Sequence, residues 1–355
     1  MPITRAGSEI LVNTATTSQQ SHQRMAVLAD GSFVVTWMDL SQGDGGAGGD
    51  ASNWAVKAQR YSADGQPLGS EFLVNTAVSG SQELPEIVAL STGGFAISWS
   101  DYSAGVGGNE ADTSGIAVKA QAYDAAGDRV GGEILVNTST AGSQYEQTMT
   151  ALAGGRFVVT WQSDASGDGD IHAQMFEASG APVGAELLVN STLNGYQSQP
   201  YLTALADGGF VVAWTDNSQT GGDTSGAAVR AQVFDADGAA VGSEILVNTT
   251  TFNTQALYSD GGSLQPHSPI AALAGGGFVI TWSDVSQSGG DTSNWAVRSQ
   301  QFGADGAPVG AERLVNTTTA GNQLYSKVFA LDGGGHVVTW WGDDGGSSGT
   351  YAQVF

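Results

Sequence analysis

Apolar positions along this chain gather into short runs set apart by Gly, Asp and Ser. One stretch holds four such runs: EIVAL (86–90), GFAISWSD (94–101), IAVKAQAYD (116–124) and GGEILVNT (131–138). Val, Thr, Phe and Trp dominate them, and no helix-favouring Glu/Lys/Leu composition competes, so the runs predict strands. A tight STGG turn joins the first two, and a long Asp/Gly/Ser loop joins the second and third. An Asp-Ala-Ala-Gly hairpin joins the third and fourth. The predicted unit is a set of four antiparallel strands.

The unit recurs. Leu-Val-Asn begins at Leu11, Leu73, Leu135, Leu188, Leu246 and Leu314, each preceded by a Glu: Glu9, Glu71, Glu133, Glu186, Glu244 and Glu312. Aromatic-ending runs close on Trp37, Trp99, Trp161, Trp214, Trp282 and Trp340. Four strands repeated six times read as an all-β, six-bladed β-propeller of four-stranded antiparallel blades. The chain starts on a fourth strand (7–14) and stops after a third (351–355). Residues 1–355 are therefore expected to form one domain, residues 7–14 completing the last blade with 327–355 and closing a monomeric ring. A solenoid would instead leave two unpaired edges in need of caps.

Composition narrows the function classes. A formal charge of −24 over 355 residues argues against nucleic acid, whose phosphates need clustered Lys and Arg. It suits divalent cations, a saline setting or plain solubility. The chain has no Cys, hence no disulfide framework and no thiol catalysis. No apolar run approaches membrane-spanning length, and MPITRAGSEILVN lacks the apolar core of a cleaved export signal.

Strand order assigns the tight turns to one end of each blade and the long loops and crossovers to the other, where a ligand would be sought. Each crossover carries a Gln eight residues before the Leu that ends the first strand: Gln20, Gln82, Gln144, Gln197, Gln265 and Gln323. These amides either ring a central opening and bind a polar ligand, or hydrogen-bond loop backbone and lock adjacent blades. The acidic loops pair Asp39 with Asp50, Asp101 with Asp112, Asp216 with Asp223, and Asp284 with Asp291. Carboxylates, hydroxyls and freed carbonyls in a Gly-rich loop are the hard oxygen ligands calcium takes. The alternative is Asx-turns that need no metal. GGAGGD (45–50) is close to a calcium nonapeptide but occurs once, and Ser52 stands where that pattern wants an apolar residue. Lys57, Lys119, Arg230 and Arg298 share one register of the third strands, where a cross-strand ion pair such as Lys57 with Glu71 is expected. Trp54 and Trp295 each follow an acidic loop as Asn-Trp-Ala-Val and are the aromatic residues chosen for ligand stacking.

Catalysis needs distinct acid, base and positioning groups, which break symmetry. The four His residues show no metal-ligand spacing, and SADGQPLG (62–69) lacks the spacing and Trp of a sialidase Ser-x-Asp-x-Gly-x-x-Trp box. The six-fold phrase, G-x-E-x-L-V-N-T, then Q, L-x-x-G-G-F-V-V-T-W and V-K/R-A-Q-x-F/Y-D-A-x-G, resembles repeats in large secreted bacterial calcium-binding proteins of the repeats-in-toxin type. That resemblance implies an extracellular or cell-surface module exported by type I secretion. It departs in lacking tandem calcium nonapeptides. The expected function is a non-catalytic, calcium-stabilised extracellular module for adhesion or carbohydrate binding, with a glycan or cell-surface ligand. The alternatives are a structural or assembly scaffold without a small ligand and a calcium-dependent glycan-active enzyme.

Overall fold

The computed structural model describes residues 8–40, 53–103, 112–257, 268–343 and 346–355. Among these the chain is all-β, with one short 3₁₀ turn at Ala153–Gly155 and no α-helix. The strands form six antiparallel sheets in sequence order, one for each repeat. The first holds β1 (Gln20–Val27), β2 (Phe33–Asp39), β3 (Ala55–Tyr61) and β4 (Phe72–Leu73). The second holds β5 (Gln82–Ala89), β6 (Phe95–Asp101), β7 (Ala117–Tyr123) and β8 (Arg129–Leu135). The third is β9 (Gln144–Ala151), β10 (Phe157–Ser163), β11 (Asp170–Phe176) and β12 (Pro182–Leu188). The fourth is β13 (Gln197–Ala204), β14 (Phe210–Asp216), β15 (Ala228–Phe234) and β16 (Ala240–Leu246).

The fifth sheet has a divided first strand. Both β17 (Gln255–Ala256) and β18 (Ile270–Ala272) pair with β19 (Phe278–Asp284), which β20 (Ala296–Phe302) and β21 (Pro308–Leu314) follow. The sixth has three strands, β22 (Gln323–Ala330), β23 (His336–Asp343) and β24 (Ser348–Val354).

Two compact units divide the chain. One comprises residues 1–143 with 154–157 and 176–181; the other comprises 144–153, 158–175 and 182–355. Within the first, β1 packs beside β5; within the second, β9 packs beside β13, β13 beside β18, and β18 beside β22. First strands are thus the inner strands of neighbouring sheets. Middle strands such as β6 and β7 are buried along their whole length, because apolar side chains cover both faces. One such layer joins Val34, Val56 and Val74 of the first sheet to Phe95, Ile97 and Trp99 of the second. Another joins Val211, Val229 and Val247 to Phe278, Ile280 and Trp282. All six repeat Trp residues are buried, which makes them packing residues and not sugar platforms.

Inner strands share a bulge. His22, Leu84, Gln199 and Tyr325 take φ of 54°, 57°, 57° and 58° where the register to the second strand slips. Non-glycine residues rarely adopt this conformation, and bulges re-aim side chains at sheet ends. Each inner strand begins two residues earlier, at its repeat Gln, so the bulge lies toward the long-loop end.

The N-terminal segment takes no strand pairing among residues 8–14, but its contacts follow a rule set elsewhere. A β-carbon added to Gly65 would lie 2.7 Å from Ile10 Cδ1. The same construction at Gly180 and Gly306 meets Ile134 and Ile245, each at 2.6 Å. Thr14 N–H donates to Glu71 at 2.7 Å, as Thr76 N–H does to Glu133 at 2.8 Å. Residues 10–14 therefore meet the first sheet as a fourth strand meets the sheet that follows it. Val12 also packs on Val35, Trp37 and Tyr61. Deleting residues 1–14 is expected to uncover that apolar face and cause aggregation; light scattering during a thermal ramp checks this, and a deletion variant that stays soluble and monomeric would contradict it.

Candidate functional site

At the long-loop end of each sheet, an Asn from the Leu-Val-Asn phrase anchors a polar relay. Asn75 Oδ1 accepts the N–H of Val56 at 2.9 Å, and its Nδ2 donates to Gln82 Oε1 of the next sheet at 3.1 Å. Gln82 Nε2 then donates to Asp101 Oδ1 at 3.0 Å and to the Ser79 carbonyl at 3.1 Å. The same path runs from Asn190 through Gln197 to Asp216, and from Asn248 through Gln255 to Asp284. Gln323 departs: its Oε1 accepts the Trp340 indole N–H at 2.8 Å. Gln82, Gln144, Gln197 and Gln323 are buried, while Gln20 is partly exposed, donates to the Thr17 carbonyl and approaches Asn13 at 3.4 Å.

Gln265 lies outside the described residues, and Gln255 occupies its place in the relay, opposite Asp284 in register. Counting back from Leu273 crosses residues 257–269, which separate β17 from β18, a break that has no counterpart in the other repeats. Counting forward from the Asn finds the right residue, since each relay Gln follows its Asn by seven positions.

The first members of the acidic pairs serve a buried cation. Lys119 Nζ lies 2.9 Å from Asp101 and 2.8 Å from Glu133, and the exposures of the three side chains are 2%, 2% and 4%. Lys57 sits likewise between Asp39 at 3.0 Å and Glu71 at 2.9 Å. Arg230 joins Asp216 to Glu244, and Arg298 joins Asp284 to Glu312. The anticipated Lys57–Glu71 pair is present, with the metal candidate Asp39 as its third member. Strand register explains this: Lys119 faces Trp99 and Leu135, which puts Asp101 and Glu133 at diagonal positions on one face. Burial, the strongest influence on Lys119, lowers its proton affinity. Hydrogen bonds and attraction from Glu133 and Asp101 outweigh it, so the ammonium holds its proton well above the lysine range.

The second members make Asx-turns. Asp112, Asp223 and Asp291 accept the N–H of Ser114, Ser225 and Ser293 at 3.0, 3.0 and 2.9 Å. Their other oxygens accept the relay amides of Asn137, Asn248 and Asn316 at 2.8, 2.9 and 2.8 Å. Asp50 lies outside the described residues. Among the described residues no group of three or more His, Asp or Glu side chains is arranged to hold a metal ion.

Two sheets depart from the pattern. Ser163 and His172 replace the Asp and the cation in the third, where His172 Nδ1 lies 2.7 Å from Glu186. Gly342 and Tyr351 replace them in the sixth, where the Tyr351 ring stacks on Trp340 at 5.8 Å. Trp54 and Trp295 stand immediately before β3 and β20 and are partly exposed. Their carbonyls accept the N–H of Gln82 and Gln323, each at 2.8 Å, so the backbone at these two positions is tied to the next sheet.

No protein-family model and no curated protein matches this sequence. Among solved structures, a protein of unknown function from Dyadobacter fermentans aligns over 98% of both chains at 10% identity, with a TM-score of 0.48. The polysaccharide lyase Uly1 aligns over 94% of this chain and 77% of its own, at 12% identity and a TM-score of 0.48. The NanB sialidase of Streptococcus pneumoniae aligns over 98% of this chain and 69% of its own, at 9% identity and a TM-score of 0.46. Likenesses this distant carry no argument about what this chain binds, which rests on its own residues.

Replacing Lys119 with Met strands two buried carboxylates, and stability in urea is expected to fall by about 3–5 kcal/mol. The raised proton affinity of Lys119 stabilises the fold below the ordinary lysine value of 10.5. That contribution fades as pH climbs from there through the higher folded-state value. Urea midpoints measured across pH 10 to 12 should decline in the parent chain and decline less in Lys119→Met.

Proposed function

We propose that the chain is a non-catalytic carbohydrate-binding module that acts outside the cell, its six sheets serving as blades of a ring. Trp54 and Trp295 carry this reading. Each offers a partly exposed indole at a loop end, held by a backbone hydrogen bond to the next sheet. An aromatic face beside polar loops is suited to stacking on a sugar ring, and an indole loses only two side-chain torsions on binding. Residues 7–14 act as the missing fourth strand of the sixth sheet. The fourth-strand contacts that Ile10 and Thr14 make on the first sheet support that role. Absence of Cys and the strongly acidic composition suit an exported module, with type I secretion as its route.

An immobilised oligosaccharide array is the test. The parent chain is expected to retain a subset of glycans, and Trp54→Ala or Trp295→Ala to weaken the best ligand by about tenfold or more. An array with no retained glycan would favour the scaffold reading, and turnover of any polysaccharide in the same panel would favour the enzyme.

Calcium stabilisation is a separate part of this proposal, suggested by the acidic balance. Melting curves in calcium and in excess chelator test it: a bound ion raises the midpoint by mass action, and equal midpoints would remove it.

A further inference from the structure

The third sheet interrupts the repeated chemistry, and its polar groups form a cluster of their own. Tyr145 Oη donates to Asp164, 2.9 Å from Oδ1 and 3.0 Å from Oδ2. Gln162 Nε2 donates to the same Tyr145 oxygen at 2.9 Å, and the Tyr196 hydroxyl lies 2.9 Å away. A phenol carries one proton, and that of Tyr145 goes to Asp164. Tyr196 must therefore donate to Tyr145, which leaves its own oxygen free to accept.

Two further observations mark the cluster as unfinished. Gln162 is fully buried; its Nε2 is committed to Tyr145, and its Oε1 has no hydrogen-bond partner. Native proteins seldom leave such an acceptor unpaired. A β-carbon on Gly169 would lie 2.7 Å from Gln162 Nε2 and 2.9 Å from the Tyr196 ring, so only glycine lets amide and ring approach so closely. Tyr196 is 42% exposed and Asp164 partly exposed, so the cluster runs from a buried amide to an open aromatic rim. Among the described residues, Asp164 is held by Tyr145 and not by Lys or Arg, unlike the Asp residues of the ion triads.

We propose that this cluster is a subsite for a neutral carbohydrate, an inference that rests on the carbohydrate-binding reading above. The free valences of Asp164 and Tyr196 Oη are acceptors, and sugar hydroxyls are the donors that match them; the buried Gln162 Oε1 is a third acceptor, within reach of a bridging water only. The Tyr196 ring supplies the apolar face on which a sugar ring packs. A carboxylate with no protein cation beside it repels sialylated and uronic-acid sugars and selects uncharged ones. Burial, and then the hydrogen bond it donates to Asp164, push the Tyr145 hydroxyl above the phenol range and keep it a donor.

The test begins with an array of neutral and anionic oligosaccharides, followed by calorimetric titration of the neutral oligosaccharide retained most strongly. Asp164→Asn and Tyr196→Ala are each expected to weaken it by about tenfold or more, and Tyr196→Phe by less, because the ring remains. Asp164→Asn should also narrow the preference for neutral over anionic sugars. Tyr196 is exposed, so its variants report on binding even if Asp164→Asn perturbs the loop. Binding that survives all three variants unchanged, yet falls in Trp54→Ala or Trp295→Ala, would overturn this subsite and leave the carbohydrate reading standing. Retention of anionic sugars alone would overturn it as well. Retention of no oligosaccharide would overturn both.

Discussion

Four cations buried at the loop ends hold the repeating structure together. Each of Lys57, Lys119, Arg230 and Arg298 lies between an Asp that ends the second strand and a Glu of the fourth. Leaving such an Asp and Glu buried without the cation costs several kcal/mol, so each triad stands or falls as a unit. The Glu has a second task. Glu133 also accepts the N–H and hydroxyl of Thr76, both at 2.8 Å, and Glu312 accepts those of Thr249. The Asp does likewise, accepting the relay Gln from the crossover. One ion triad thus ties its own sheet together and ties it to the sheet before.

This economy limits where function can reside. Where the triad and relay are complete, the loop-end carboxylates are committed to protein partners. Under the proposed carbohydrate reading, chemistry toward a ligand falls to residues outside the network, such as the indoles of Trp54 and Trp295. It is also left to the third sheet, where Ser163 and His172 displace the triad and Tyr145, Gln162, Asp164 and Tyr196 form a different network. Loss of Asp and loss of the cation go together in the third and sixth sheets, as expected when each group is tolerable only with the other.

Much of this was legible in the chain itself. The strand content, the six repeats and the Lys–Glu pairing follow from residue type and local spacing. Local spacing fails once a loop varies. The distance from Asp101 to Asp112 suggests a shared metal cage, but the two carboxylates belong to separate networks. Gln265 matches a count from Leu273, yet it is Gln255 that donates to Asp284 in the relay. The Asn-to-Gln interval of seven stays constant because both residues make one crossover, and a crossover of fixed geometry tolerates no insertion.

By itself the sequence determined the repeating strand unit, since period, turn residues and β-branched runs act over a few neighbouring positions. It also determined which residue types face one another across a hairpin of fixed length. Tertiary structure alone decided that, among the described residues, the recurring Asp side chains are counterions and Asx-turn acceptors, and that the Tyr145 hydroxyl meets Asp164 and Tyr196. Those partners lie 14 to 51 residues apart in the chain and in different strands or sheets. Only the register of paired strands and the packing of one sheet on the next bring them within hydrogen-bonding distance.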